Sequence, residues 1–280
     1  MFTPKDNAPY DNYNSHPIFS FANSEMGPIA NKFIKTMEKY TGQPKIKKIY
    51  FDYVDDERPK ELFWTDALKR LNISPNVIFE DNSKIPKKGR VLVIANHPFG
   101  VIDGLVLCSL ISNVRQDYKI ITHQVLRQAP AVMDKILPID FAENQKALQT
   151  NLDTRKEATK HLRDGGVVII FPAGGISLSP NLIGPALDSE WKTFASKLAQ
   201  FQDTTILPFF FDGKNSILYQ CARRISITLG YSLMFREICK KMDKTVSVTL
   251  RKPLHSSDLI NFSNRNSLTD YLRNYTYGKI

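Results

Sequence analysis

Cysteine is scarce in this chain. Cys108, Cys221 and Cys239 are the only three among 280 residues, with no Cys-x-x-Cys spacing, so neither a disulfide framework nor a thiolate zinc site is encoded. Cys108 and Cys239 fall in apolar helical patterns and read as reduced core residues. The histidines His16, His97, His123, His161 and His255 show no paired ligand spacing, and no resident metal or cofactor is expected. No apolar stretch reaches the ~20 residues needed to cross a bilayer. Residues 1–16 are polar and carry prolines, which argues against a signal peptide. There is no Gly-x-Ser-x-Gly elbow, no internal repeat and no low-complexity tract.

Charge of one sign is in surplus. Lys and Arg number 38 against 28 Asp and Glu, a net charge of +10. Basic proteins seek nucleic acid, anionic lipid or an acidic carrier protein. No zinc-finger spacing, RRM-type aromatic motif or dense Lys/Arg run accompanies the charge, which argues against nucleic acid. An anionic bilayer fits better, at about 1 kcal/mol per basic residue near the surface. With 42% hydrophobic and 11% aromatic residues, the chain has the composition of a globular protein.

The most informative segment runs from Val91 to Gly104. The apolar run Val91-Leu92-Val93-Ile94-Ala95 ends in Asn96-His97-Pro98-Phe99-Gly100, and Asp103 follows six positions after His97, just ahead of Leu105 to Ile111. A buried strand thus delivers His97 at its C-terminal edge, where Asp103 can orient it as a general base. A plainer reading makes Asp103 a helix cap and His97 a loop residue. Two further segments repeat the architecture. Val167 to Ser177 is a strand emptying into Pro172-Ala173-Gly174-Gly175, and Thr205 to Ser216 is a strand ending in Asp212-Gly213-Lys214-Asn215. Open α/β sheets build their sites at such carboxyl ends.

These blocks resemble the ordered motifs of the lysophospholipid acyltransferase superfamily, most nearly its hemolysin-like branch, which is similar to lyso-ornithine-lipid O-acyltransferases. Thr41-Gly42-Gln43, Leu137-Pro138-Ile139-Asp140, Arg236-Glu237-Ile238 and Tyr271-Leu272-Arg273 fall in the expected order, so the likeness spans the chain from about residue 26. It implies a glycerolipid acyltransferase-like α/β domain that docks on a membrane and moves a fatty acyl group from a thioester to a lysolipid hydroxyl. The donor is then an acyl-carrier protein or coenzyme A thioester and the acceptor a lysophospholipid or lyso-aminolipid. Three departures stand out. Five residues separate His97 from Asp103 where the general pattern has four, as in the hemolysin-like branch. Ala173 and Gly175 stand where acidic residues are usual, and Phe141 stands where an arginine often follows Asp140.

The predicted fold is α/β, a mostly parallel sheet flanked by helices, with an N-terminal helical segment. Residues 1–23 are irregular, 24–80 form a helical, membrane-associating segment, and 81–280 hold the catalytic domain. Strands are expected at 91–95, 119–123, 136–139, 167–171, 205–211 and 245–250. Helices are expected at about 24–40, 58–71, 104–113, 145–163 and 190–201, with 225–241 favoured as one more and another opening at Ser267. In the first helix Ile29, Phe33, Met37 and Tyr40 share one face, and Lys32, Lys35 and Lys39 lie towards the other. That face either seats on the catalytic domain or lies in a membrane interface.

Under the acyl-transfer reading, His97 is the base and Asp103 its orienting partner. The Phe171-Pro172-Ala173-Gly174-Gly175 loop supplies oxyanion or acceptor contacts. Lys214, Asn215, Arg127 and Arg236 are the candidates for the acceptor head group. Phe99, Val101, Leu126 and Phe209 are candidates for an acyl channel. Two other readings stay open. Ser177 or Ser109 as nucleophile would make a lipid ester or thioester hydrolase, and the Ala173/Gly175 departures suit a lipid-binding protein without activity. The expected location is cytoplasmic, peripheral on the inner face of the membrane.

Overall fold

The structure, a computed structural model, describes residues 20–22, 27–142 and 144–280. The elements run α1 (Pro28–Tyr40), α2 (Gln43–Asp55), α3 (Phe63–Arg70), β1 (Ser74–Phe79), β2 (Arg90–Ala95), α4 (Val101–Ser112), β3 (Tyr118–His123), β4 (Ile136–Ile139) and α5 (Gln145–Arg163). They continue with β5 (Val167–Ile170), α6 (Phe194–Ala199), β6 (Thr204–Phe211), α7 (Ile217–Ile225), α8 (Ile227–Ser232), α9 (Met234–Lys241), β7 (Thr245–Leu250), β8 (Leu254–His255) and α10 (Arg265–Thr276).

The strands form one sheet in the order β1-β7-β6-β2-β5-β3-β4, with β8 pairing β6. Pairings are parallel except where β6 meets β7 and β8. The expected mostly parallel sheet flanked by helices is therefore the observed architecture. β2 lies at the centre, in register with β5 through Val91–Val167 and with β6 through Arg90–Thr204.

β2 is apolar without alternation because both of its faces are covered. Val91, Val93 and Ala95 join one core with Trp64, Ile102 and Phe209. Leu92 and Ile94 join the other with Ala158, Leu162, Leu198 and Leu272. α2, α3, α4 and α9 thus cover one face, and α5, α6 and α10 the other.

Several expectations change in detail. The division at residue 81 falls between β1 and β2 of one sheet, so the 24–80 segment contributes a strand as well as helices. The first helix starts at Pro28; residues 24–26 and the irregular stretch before Ser20 lie outside the described residues. Of the apolar stripe only Met37 packs against the core. Ile34 and Glu38 are the buried residues, whereas Ile29 and Tyr40 are 86% and 82% exposed and Phe33 is 49% exposed. The single helix favoured over 225–241 is broken: α7, α8 and α9 occupy this region. Ser226 leaves helical geometry at φ −158° and its Oγ accepts the N–H of Thr228 at 3.2 Å.

Candidate active site

His97 follows directly from the end of β2, and Asp103 lies in the first turn of α4, which begins earlier than expected. Between them the chain turns at Gly100, whose φ of 77° and ψ of −118° disfavour any side chain. A Cβ there would stand 2.8 Å from Ile176 Cδ1 and 3.0 Å from Met234 Sδ. The turn brings Asp103 Oδ2 to 3.0 Å from His97 Nδ1. The same oxygen accepts the N–H of Phe99 at 2.9 Å and of Gly100 at 3.0 Å. Asp103 is therefore not the N-cap of α4, a place that Gly100 takes; it is the third helical residue, whose carboxylate reaches back to the Gly100 N–H and faces the imidazole.

Asp103 is fully buried, and burial raises its carboxyl above the usual range while His97 and the two amides oppose that rise. His97 keeps 18% of its side chain exposed and stacks on Phe171, centroids 4.0 Å apart at 25°. With Nδ1 turned to the carboxylate, Nε2 is the nitrogen left for chemistry.

Sequence reasoning missed a second buried carboxylate. Asp188 Oδ1 accepts the backbone N–H of His97 at 3.2 Å and the hydroxyl of Ser177. Its Oδ2 accepts Trp191 Nε1–H at 2.7 Å, and its backbone is held by Tyr277 and Arg273. Burial raises this carboxyl too. Ser177 returns to the motif through its own N–H, which donates to His97 O at 2.9 Å. Asp188 thus joins the His97 turn to the loop after β5. Nothing local in Leu187-Asp188-Ser189 signals this; only the fold brings it to His97.

Asn96 is clamped as well. Its Nδ2 donates to Phe211 O at 2.9 Å and its Oδ1 accepts Phe211 N–H at 2.7 Å, which locks the ends of β2 and β6 together.

A cavity of about 290 Å³ opens over His97. Phe171, Pro172, Gly174 and Gly175 line it, while Ala173 turns into the core on the other face of the sheet. Val101 and Leu126 also line it. Phe99 and Phe209 do not: Phe209 is core, and Phe99 is sandwiched between Gly213 and the Lys241 ammonium, 3.7 Å from its ring centroid. His123 lines the cavity, and burial depresses its imidazole to about 4, so it is neutral near pH 7.

The head-group candidates lie elsewhere. Lys214 Nζ donates to the carbonyls of Leu182, Ile183 and Gly184 and ties down that loop. Arg236 pairs with Ser216 and Glu237. Asn215 is buried behind the site, and Arg127 sits in the Gln124–Gln128 turn without reaching the cavity. The cations that do line it are Arg155 of α5 and Lys192. Lys192 is fixed through its N–H to Pro172 O at 2.9 Å, and the Arg155 guanidinium lies 5.8 Å from the Phe194 ring centroid. Neither side of that pair was legible from motifs, because both stand outside the matched blocks.

The serine nucleophile reading lacks its geometry. Ser177 Oγ is engaged by Asp188, and Ser109 Oγ lies 3.0 Å from Thr65 Oγ1. Among the described residues no group of three or more His, Cys, Asp or Glu is placed to hold a metal, and no helix is long and apolar enough to cross a membrane.

A family model described as Acyltransferase matches residues 76–212, the stretch holding β2, α4 and both buried carboxylates. Two lyso-glycine lipid O-acyltransferases are similar to this chain. That of Phocaeicola vulgatus is 22% identical over 243 residues, 80% of this chain and 84% of the relative. That of Bacteroides thetaiotaomicron is 25% identical over 238 residues, 79% and 85% respectively. In fold the chain is similar to the crystal structure of the 1-acyl-sn-glycerophosphate acyltransferase PlsC from Thermotoga maritima. The TM-score is 0.50 at 19% identity, covering 89% of this chain and 87% of that one. The family model and both relatives are alike in description: each is an acyltransferase to which this chain is similar.

Proposed function

We propose that this protein transfers a fatty acyl group from an acyl-carrier protein or coenzyme A thioester to the hydroxyl of a lysolipid, with His97 as general base and Asp103 as its orienting partner. The carrying observation is the 3.0 Å approach of His97 Nδ1 to the buried Asp103 carboxylate at the floor of an open cavity. His97 Nε2 takes the acceptor's hydroxyl proton as that oxygen attacks the thioester carbonyl. The tetrahedral intermediate then collapses, the C–S bond breaks, and the same proton passes to the departing thiolate. A positioned base contributes roughly 10²–10⁴-fold.

The oxyanion contact falls to the Gly174-Gly175 turn. Gly174 N–H closes the turn onto Phe171 O at 3.0 Å, which leaves the Gly175 amide as the donor of choice. Arg155 and Lys192 at the cavity suit an anionic head group. The two lyso-glycine lipid O-acyltransferases support a lyso-aminolipid with a free carboxylate as acceptor. A second cavity of about 130 Å³, lined by side chains such as Trp64, Phe63, Leu105 and Ile238, adjoins the first and suits the acyl chain. α1 lays its exposed Ile29, Phe33 and Tyr40, with Lys32, Lys35 and Lys39, on an anionic bilayer.

The intact His97–Asp103 pair speaks against a lipid-binding protein without activity, since binding alone requires no such pair. Incubating the protein with acyl-carrier and coenzyme A thioesters plus lyso-glycine lipid, with products read by mass spectrometry, tests the reading. Diacylated lipid appears if it holds; free fatty acid alone would indicate a hydrolase, and no product an inactive binder.

A further inference from the structure

Lys241, the last residue of α9, places its ammonium 3.7 Å from the centroid of the Phe99 ring. Phe99 belongs to the turn between His97 and Asp103 and is 3% exposed. Its ring tip lies against Gly213, where φ is 135° and a Cβ would stand 2.4 Å from Phe99 Cζ. Only glycine leaves the ring that place. A cation over an aromatic face is attractive, so Lys241 helps seat the ring from its other side. The Phe99 N–H, in turn, donates to Asp103 Oδ2 at 2.9 Å, the oxygen that faces His97 Nδ1 at 3.0 Å. A short path thus joins the ammonium to the carboxylate and imidazole.

An apolar side chain would fill this position at less desolvation cost. Lys241 is half-buried, and burial lowers its ammonium below the ordinary lysine range, with the Asp103 carboxylate foremost among the groups opposing that fall. Lys244 adds to the fall and Glu237 opposes it. Glu237 is already engaged: it accepts the Ser216 hydroxyl at 2.6 Å and the Ser216 N–H at 2.8 Å, and it pairs with Arg236. In the turn around Gly213, Lys214 is held by the carbonyls of Leu182 and Gly184, and Asp212 is exposed. On the cavity side His97 faces Asp103 and Asp188, with Arg155, Lys192 and the neutral His123 beyond.

Asp103 is therefore the buried anion that Lys241 balances. Its Oδ1 is buried without a hydrogen-bond partner among the described residues. A carboxylate short of donors depends the more on a nearby positive charge to stay ionised.

We propose that Lys241 is a positioning residue for the His97–Asp103 pair: its ammonium seats Phe99 and, from outside the cavity, supplies the positive charge that keeps Asp103 ionised and His97 free of its proton. The effect on turnover rests on the acyl-transfer reading. Each proton bound by the pair adds positive charge, which a neighbouring cation opposes. Removing the cation therefore raises the pH at which the pair takes up its proton. His97 serves as a base only without that proton, so the acid limb of kcat/KM moves to higher pH.

The test compares wild type with Lys241→Met and Lys241→Arg. Methionine keeps an unbranched stem without the charge, whereas arginine keeps the charge and stacks on an aromatic face. Lys241→Met is expected to move the acid limb up by about one pH unit, an about tenfold loss of kcat/KM below it. Lys241→Arg holds the limb near its wild-type place. Titration of the His97 imidazole by NMR of ¹³C-histidine protein, assigned with His97→Ala, follows the same midpoint without needing turnover. A folded Lys241→Met protein whose kinetic and imidazole midpoints both stay at the wild-type values overturns the proposal and spares the acyl-transfer reading. An imidazole midpoint that moves in a protein transferring no acyl group sinks that reading and spares the role of Lys241.

Discussion

Asp188 holds Trp191 and His97 at once: Trp191 Nε1–H donates to Oδ2 at 2.7 Å while the His97 amide donates to Oδ1 at 3.2 Å. Both contacts need an acceptor. In Asp188→Asn, an amide oriented to keep the His97 and Ser177 contacts turns its NH₂ against the indole N–H. The loss of a buried partner costs about 1–3 kcal/mol, and turnover is expected to fall about tenfold or more as the His97 turn shifts. Trp191→Phe removes the opposing donor, so the double variant regains part of kcat. A double variant no better than Asp188→Asn would assign the effect to the lost charge instead.

Gly100→Ala places a side chain at φ 77°, against Ile176 and Met234. Strain of this kind costs about 1–3 kcal/mol. Differential scanning calorimetry is expected to show a drop of about 2–4 °C per kcal/mol for a chain of this size. Activity falls further than stability alone explains, because the Gly100 N–H helps hold Asp103. A variant of wild-type Tm and rate would mean that the turn is not constrained as described.

Burial raises the Glu38 carboxyl above its ordinary 4.5, against the opposing contacts of Ser20 and Phe21. The folded chain then holds this proton to higher pH than the unfolded chain. Stability from the group is present below about pH 4.5 and is lost as pH rises through the raised folded value. The Tm of Glu38→Gln minus that of wild type should therefore increase across that window. A difference that stays flat or declines contradicts the assignment.

Arg155 and Lys192 line the cavity without a carboxylate partner among the described residues. Replacing either with alanine is expected to raise KM for a carboxylate-bearing lysolipid about tenfold while kcat changes little. The effect should vanish with the carboxamide analogue. Equal losses with both acceptors would remove the head-group role.

The exposed face of α1 gives a vesicle test. Ile29→Ser with Phe33→Ser should reduce co-sedimentation with anionic vesicles. Raised salt should weaken what remains, since Lys32, Lys35 and Lys39 act through screened attraction. Binding that survives both changes would place the membrane contact elsewhere.

Much of the site was legible because its signals are local. An unbroken apolar run fully buried on both faces reads as a central strand, and β2 and β5 are such runs. The His97-to-Asp103 spacing likewise carries its own geometry. Signals that depend on the tertiary fold were not legible. β1 is an edge strand, half exposed and carrying Pro75, and its pairing with β7 joins residues far apart in sequence. The stripe on α1 has helical period, but nothing in the period says which side meets protein; the observed contact uses Ile34, a buried glutamate and, of the stripe, Met37 alone. Asp188 reaches the His97 turn, and Arg155 and Lys192 reach the cavity, from loops and a helix whose local sequence carries no motif. Phe209 was legible as apolar, but the sequence gives no means of telling a core residue from a channel residue.

The most direct measurement is kcat for acyl transfer by His97→Ala and Asp103→Asn beside wild type, with folding checked by circular dichroism. Loss of the base is expected to lower kcat by about 10²–10⁴-fold, and Asp103→Asn should lose most of the same factor. A folded His97→Ala protein that turns over at the wild-type rate would contradict the central claim.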